Sequence, residues 1–187
     1  LMWNERILTF TDVDVMQERF DVHPSLVFVD AGHATYDVYR ECSKRGWVAL
    51  IGDRRPVYPH KGRDGKTVQR FYSPRRKVVL TLRQSCHVHY WSNLNIKDTL
   101  ARLRRNQDPS RGPTWEVPDD IDDEFLAQME SEQRVKEKDQ WMWRQIGSRP
   151  NHYFDCEAMQ ATAATMLKII GRESVASAPV DTPDGEP

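Results

Sequence analysis

The sequence predicts an α/β fold, on three observations. Leu26-Val27-Phe28-Val29 is apolar without a break and ends in Asp30-Ala31-Gly32, the pattern of a strand covered on both faces, as in the middle of a sheet. A second such run, Trp47-Val48-Ala49-Leu50-Ile51-Gly52, follows one helix-length later. Between them Val38, Tyr39 and Cys42 share one helical face, and Gly46 stands where that helix would stop. Strand, helix and strand make a βαβ unit, so 26–30 and 47–52 are expected to be parallel neighbours joined by a helix at 36–45.

With 187 residues, one domain with a proper core is expected. Lysine and arginine number 27 against 28 acids, so net charge points to no partner. Cys42, Cys86 and Cys156 are odd in number and show no paired spacing, which suits a reducing compartment. No apolar stretch is long enough to span a bilayer, and no signal peptide opens the chain. The first residue is Leu1 rather than methionine, so a fragment or processed product is expected.

In chain order, 1–10 alternates weakly and is expected to be a strand, with Ile7, Leu8 and Phe10 as apolar members. Thr11 then reads as the N-cap of a short amphipathic helix over 12–21, with Asp12 and Asp14 in its first turn. His23-Pro24 closes it. The alternative makes Asp12-Val13-Asp14-Val15 a strand bearing two carboxylates. Too few residues separate Asp14 from Asp30 for a hairpin and a crossover helix, which favours the helix. Asp30 ends the central strand, where open α/β folds build their sites; an ordinary turn aspartate before a loop glycine is the competing reading. Thr35 is the expected N-cap of the next helix.

From Arg54 to Arg111 fifteen basic residues face three acids, with Tyr58, Phe71, Tyr72, Tyr90 and Trp91 interleaved. So large a local surplus is the footprint of a polyanion, and Arg75, Arg76 and Lys77 are its densest run. Gly62-Arg63-Asp64-Gly65-Lys66-Thr67 is not a phosphate-binding loop, because His60 occupies the position that needs glycine; it reads as a hairpin turn. Strands are expected at 78–82 and, shorter, at 87–91, with a helix over 96–103. Alternation places Cys86, Val88 and Tyr90 on one face and His87 and His89 on the other. Cys86-x-His-x-His lacks the second ligand pair of a zinc site.

Residues 116–139 hold ten acids against three bases. Pro118 and the aspartates are expected to lead into a helix carrying Phe125, Leu126 and Met129, with most acids on a solvated face or helix N-terminus. Trp141 and Trp143 suggest a short strand packed on both sides. Asn151 then caps a long helix, marked by Phe154, Ala158, Met159, Ala161, Thr162, Met166 and Ile170 and ended by Gly171. Asp155 shares an otherwise apolar or small face of it, where a carboxylate is costly unless paired or metal-bound. The Ser, Pro, Ala and acidic composition of 172–187 reads as a disordered tail.

If the last helix lies against the sheet, Asp30 and Asp155 reach one place. Neighbouring carboxylates repel unless something positive separates them, and a divalent ion is the usual answer. A metal-binding pair beside a basic face points to phosphodiester hydrolysis.

Five motifs then carry a resemblance. They are Val27-Phe28-Val29-Asp30-Ala31-Gly32-His33-x-Thr35 with Val38-Tyr39; Ile96-Lys97-Asp98-x-Leu100-x-x-Leu103; Trp115-Glu116-Val117-Pro118-Asp119-Asp120; Phe125-Leu126-x-Gln128-Met129-x-x-Glu132; and Pro150-Asn151-His152-x-x-Asp155-Cys156-Glu157 with an alanine-rich helix after it. In this order and spacing, over about 26–170, the chain resembles the C-terminal nuclease domain of the phage terminase large subunit, lambda-like type. The resemblance implies an RNase H-like mixed sheet flanked by helices over 1–171, lacking the first strands of the opening hairpin. It implies cleavage of concatemeric double-stranded DNA with Mg²⁺ or Mn²⁺, terminase small subunit and portal as partners, and the cytoplasm of an infected bacterium. Asp30 matches the acid at the end of the family's fourth strand and Asp155 the acid on its last helix. The family's first acid finds no match: with 12–21 as a helix, the first two strands lie before Leu1, and only the strand reading of 12–15 would let Asp12 or Asp14 substitute; the family's ATPase half has no counterpart in these residues. A nucleic-acid-binding or assembly module with an incomplete, inactive site is the alternative.

Overall fold

The computed structural model describes residues 7–170. Strands β1 (Phe28–Asp30), β2 (Val48–Asp53) and β6 (Ser85–Ser92) run parallel, and β5 (Arg76–Val79) pairs antiparallel with β6. They form one mixed sheet in the order β1-β2-β6-β5, flanked by helices, consistent with an RNase H-like fold. Helix α2 (Thr35–Arg45) joins β1 to β2, with Phe28 opposite Val48 and Asp30 opposite Leu50. The predicted parallel pair is therefore present. Gly46 ends α2 at φ 76, a conformation open to glycine at little cost. Thr35 is the first helical residue rather than the cap, and its hydroxyl donates to the Ala31 carbonyl at 2.7 Å.

Period-two alternation sorts the sheet's side chains into two apolar layers. On one side Ala49, Cys86 and Val88 meet Val38, Tyr39 and Cys42 of α2. On the other, Leu50 and Trp91 meet helices α3 (Asn93–Arg105), α4 (Asp123–Met129) and α5 (His152–Met166) through Ile96, Leu100, Phe125 and Phe154. Phe28 faces this second layer while Val27 and Val29 face the first. Both faces of β1 are covered as expected, but β1 lies at the edge of the described sheet and is only half-buried. A 3₁₀ turn at Pro24–Leu26 shortens it at its start.

Several boundaries differ from expectation. Helix α1 (Phe10–Arg19) is capped by Thr9, whose side chain accepts from the Asp12 N–H while Asp12 accepts from Thr9, so the helix starts earlier than a Thr11 cap allows. The strand expected over 1–10 falls partly outside the described residues, and its remainder leads into α1. The alternative strand bearing Asp12 and Asp14 is absent: Asp12 serves its own cap, and Asp14 pairs with Arg45 at 2.7 Å. β5 stops at Val79, ahead of the Thr81–Gln84 turn, and β6 is longer than 87–91. The 62–67 segment is the turn of a hairpin between β3 (Tyr58–Lys61) and β4 (Thr67–Arg70).

The largest correction concerns 116–139. α4 ends at Met129, and a second hairpin follows, β7 (Glu132–Glu137) with β8 (Gln140–Gln145). The acids of β7 are thus not a solvated helix face. Trp141 and Trp143, two apart on a strand, share a face instead of packing both sides. Trp143 lies 5.5 Å from the Phe154 ring, and Trp141 sits under the Arg134 guanidinium at 4.4 Å. α5 ends at Met166, short of the expected Gly171, which like the expected tail lies outside the described residues.

His60 and His89 brace the sheet from its second face. Nε2 of His60 donates to the Tyr72 carbonyl at 2.6 Å, and Nδ1 of His89 to the Ser73 carbonyl at 2.8 Å. Burial holds both imidazoles below the usual 6.5. A base with a depressed folded pKa contributes stability that is present above the unfolded value and lost as pH falls through the folded one. The urea midpoint is therefore expected to drop between about pH 7.5 and 5.5, and His89→Gln to show a shallower drop than wild type. Equal slopes for the two proteins would refute a role for His89.

Candidate active site

Four elements converge at the carboxyl end of β1. Asp30 is the last residue of β1, and its Oδ1 accepts the Gly32 N–H at 2.8 Å. A Cβ at position 32 would lie 3.2 Å from that oxygen, so glycine leaves the carboxylate its place. Asp155 lies in the first turn of α5. Lys97 comes from α3, and Glu132 opens β7. All four line one cleft of about 500 Å³, walled by β8 from Gln140 to Arg144. Asp98 ties that wall to α3, accepting from Arg134 Nε and Trp143 Nε1, both at 2.9 Å.

Lys97 is the centre of the charge network. Its Nζ donates to both Glu132 oxygens at 2.7 and 2.8 Å and contacts Asp155 Oδ1 at 2.7 Å. Lys97 and Glu132 have side chains only 6% and 5% exposed, whereas that of Asp155 is 37% exposed. Asn151 makes no side-chain cap bond to its helix. Its Nδ2 instead donates to Glu132 Oε1 at 2.7 Å and Asp155 Oδ2 at 3.1 Å, linking two carboxylates. Burial raises the Asp155 pKa; Lys97 opposes that, and the Glu132 and Asp30 charges add to it. The ionised form of Asp155 is thus disfavoured by burial even with an ammonium in contact.

A family model described as the terminase large subunit gpA endonuclease domain matches residues 12–174. The chain belongs to this family. No curated protein and no solved structure matches it. The matched span of the terminase endonuclease domain includes every element that builds the cleft.

The domain brings Asp30 and Asp155 to one cleft. The sequence did not single out Glu132 or Lys97 and read Asn151 only as a helix cap, although all three stand in the motifs that carry the resemblance. Glu132 was hidden among the acids of 116–139. A usable signal was Lys97, one turn before Leu100 on the apolar side of α3, where a lysine needs a partner. Arg75, Arg76 and Lys77 lie elsewhere. They are exposed, at and before β5, with β6 and β2 between them and β1. Arg75 donates to His87 Nδ1 at 2.8 Å, and the Arg76 guanidinium lies 5.2 Å from the Tyr90 ring centre.

The donor set suits a hard divalent ion: carboxylate oxygens lining one cleft open to solvent. Among the described residues no three His, Cys, Asp or Glu side chains are grouped to hold a metal, and Glu132 is turned onto Lys97. No helix of the described residues is long and apolar enough to cross a membrane.

Proposed function

We propose that this terminase domain is a metal-dependent endodeoxyribonuclease that cuts concatemeric viral DNA during genome packaging, with Asp30 and Asp155 as its metal-holding catalytic pair. The observation that carries the reading is their meeting in one cleft from β1 and α5. Mg²⁺ or Mn²⁺, when bound, supplies an activated water and stabilisation of the leaving oxygen. The chain's own residues position the pair. Gly32 N–H fixes Asp30 Oδ1, and no described donor takes Oδ2. Lys97 and Asn151 each fix one oxygen of Asp155, and Glu132 anchors both. Lys97 lets Glu132 and Asp155 share the cleft by neutralising their repulsion. The folded nuclease domain is taken as 1–171, acting in the infected host's cytoplasm with the small subunit and portal as assembly partners.

Plasmid cleavage tests the reading. Nicked and linear products with Mn²⁺, abolished by chelator, are expected. DNA binding without cutting under any divalent ion would replace it with the second reading, an assembly or DNA-binding module. That reading draws its support from Glu132 being engaged by Lys97.

Arg75, Arg76 and Lys77 are proposed to hold duplex DNA by its phosphates. Log affinity is expected to fall with log salt at a slope of roughly 0.9 per phosphate contact. Replacing all three by alanine should flatten that slope by about two to three contacts' worth. An unchanged slope by filter binding would remove them from the interface.

A further inference from the structure

A larger cavity, of about 1000 Å³, lies beyond the catalytic cleft at the C-terminal end of α3, between β4 and the end of α5, and shares no residue with that cleft. Arg70, Arg102, Arg105, Arg111 and Lys168 line it, and no described carboxylate does. The last turn of a helix favours cations, which accounts for Arg102 and Arg105 alone. Arg70 comes from β4 and Lys168 from the segment after α5, so the positive rim is assembled from separate elements. Arg111 is paired with Asp108 at 3.2 Å, while Arg105 and Lys168 have no carboxylate partner among the described residues.

The floor is apolar. Val68, Phe71, Leu103 and Ile170 contribute to it, and Val68 is 44% exposed. From a basic rim over an apolar floor we propose that this cavity docks an acidic amphipathic segment of a protein partner. A helix laid in such a groove puts apolar side chains at i, i+3 and i+7 on the floor and carboxylates against the arginines. Single-stranded nucleic acid fits less well, because it needs several open aromatic faces for successive bases, and the two aromatics here are the half-buried Phe71, packed against the core, and Tyr72. Tyr72 is 6% exposed, edge-on to His60 and His89, with Arg70 over its ring.

The test uses the whole 187-residue chain. A fluorescein-labelled helical peptide of about four turns, leucine on one face and glutamate on the others, is titrated by anisotropy. Its lysine-for-glutamate counterpart and a single-stranded oligothymidylate serve as controls. The acidic peptide is expected to bind with Kd on the order of 10 μM, and the controls not to compete for the site. Lys168→Glu, and separately Val68→Asp, should each weaken it at least about tenfold while DNA cleavage stays unchanged. No binding at about 1 mM, affinity indifferent to both variants, or oligothymidylate competing through the same residues would each overturn the proposal.

Discussion

Asp30→Asn is expected to abolish metal-dependent cleavage while leaving the fold intact. The carboxylate is exposed, and its one described hydrogen bond is local, from Gly32 N–H to Oδ1. An asparagine carbonyl accepts that bond equally well, so stability should move by no more than about 0.5 kcal/mol. Losing bound metal removes several kcal/mol of transition-state stabilisation, which corresponds to a fall in cleavage on the order of 10³-fold. Removing the Asp30 charge also takes away one of the influences that raise the Asp155 pKa. An acid with a raised folded pKa confers stability below its unfolded value, 3.8, that is lost as pH rises through the folded value. In Asp30→Asn this window should narrow. Calorimetric titration with Mn²⁺ and a plasmid assay decide the matter. Unaltered ion binding would leave Asp30 as a turn former and sink the nuclease reading.

Lys97→Met is expected to act in opposite directions on stability and on metal affinity. The substitution keeps the length and apolar stem of the side chain, which lies 5.1 Å from the Phe154 ring centre. It strands the buried Glu132 and leaves Asp155 without its cation. Breaking a buried pair by removing one partner costs about 3–5 kcal/mol, so the metal-free protein should melt well below wild type. Three carboxylates then face one cleft with no ammonium among them, and Mn²⁺ should bind about tenfold tighter or better and restore much of the lost stability. A purely structural Lys97 would lower the melting temperature and leave the Mn²⁺ titration unchanged. Cleavage separates a third outcome: tight binding with no cutting would show that Lys97 keeps the ion mobile enough, or Asp155 oriented well enough, for chemistry.

The parts of this domain that were legible in its sequence are those fixed by local periodicity. The 26–30 and 47–52 runs, the helix between them and the Gly46 stop depend on neighbours a few residues apart, and the parallel pair, the helix and its stop are all present, with the first strand shortened to Phe28–Asp30 and placed at the edge of the described sheet. Asp30 and Asp155 were singled out for a related reason: each is a carboxylate at the end of an element or on an apolar face. Glu132 was missed because a charge within an acidic run looks like a solvated one until its partner is known. That partner, Lys97, is on another element. The β7–β8 hairpin was half missed because Glu132–Glu137 alternates polar with polar, leaving period two little to register. Thr9 and Thr11 are both good caps by type, and only the reciprocal bond from Asp12 chooses between them.

The cleft draws on the first strand of the sheet, a helix from the middle of the chain and the last helix. Nothing short of the whole chain path brings Asp30 to Asp155. Closing so long a loop is entropically late in folding, after local helices and hairpins have formed. On a ribosome delivering about 5–20 residues each second, Asp30 emerges many seconds before Asp155. Throughout that interval the nascent chain already exposes its basic segment but cannot assemble the acidic pair. On the proposed function, synthesis order would act as a safety catch: a half-made chain would carry the basic segment without the means to cut DNA.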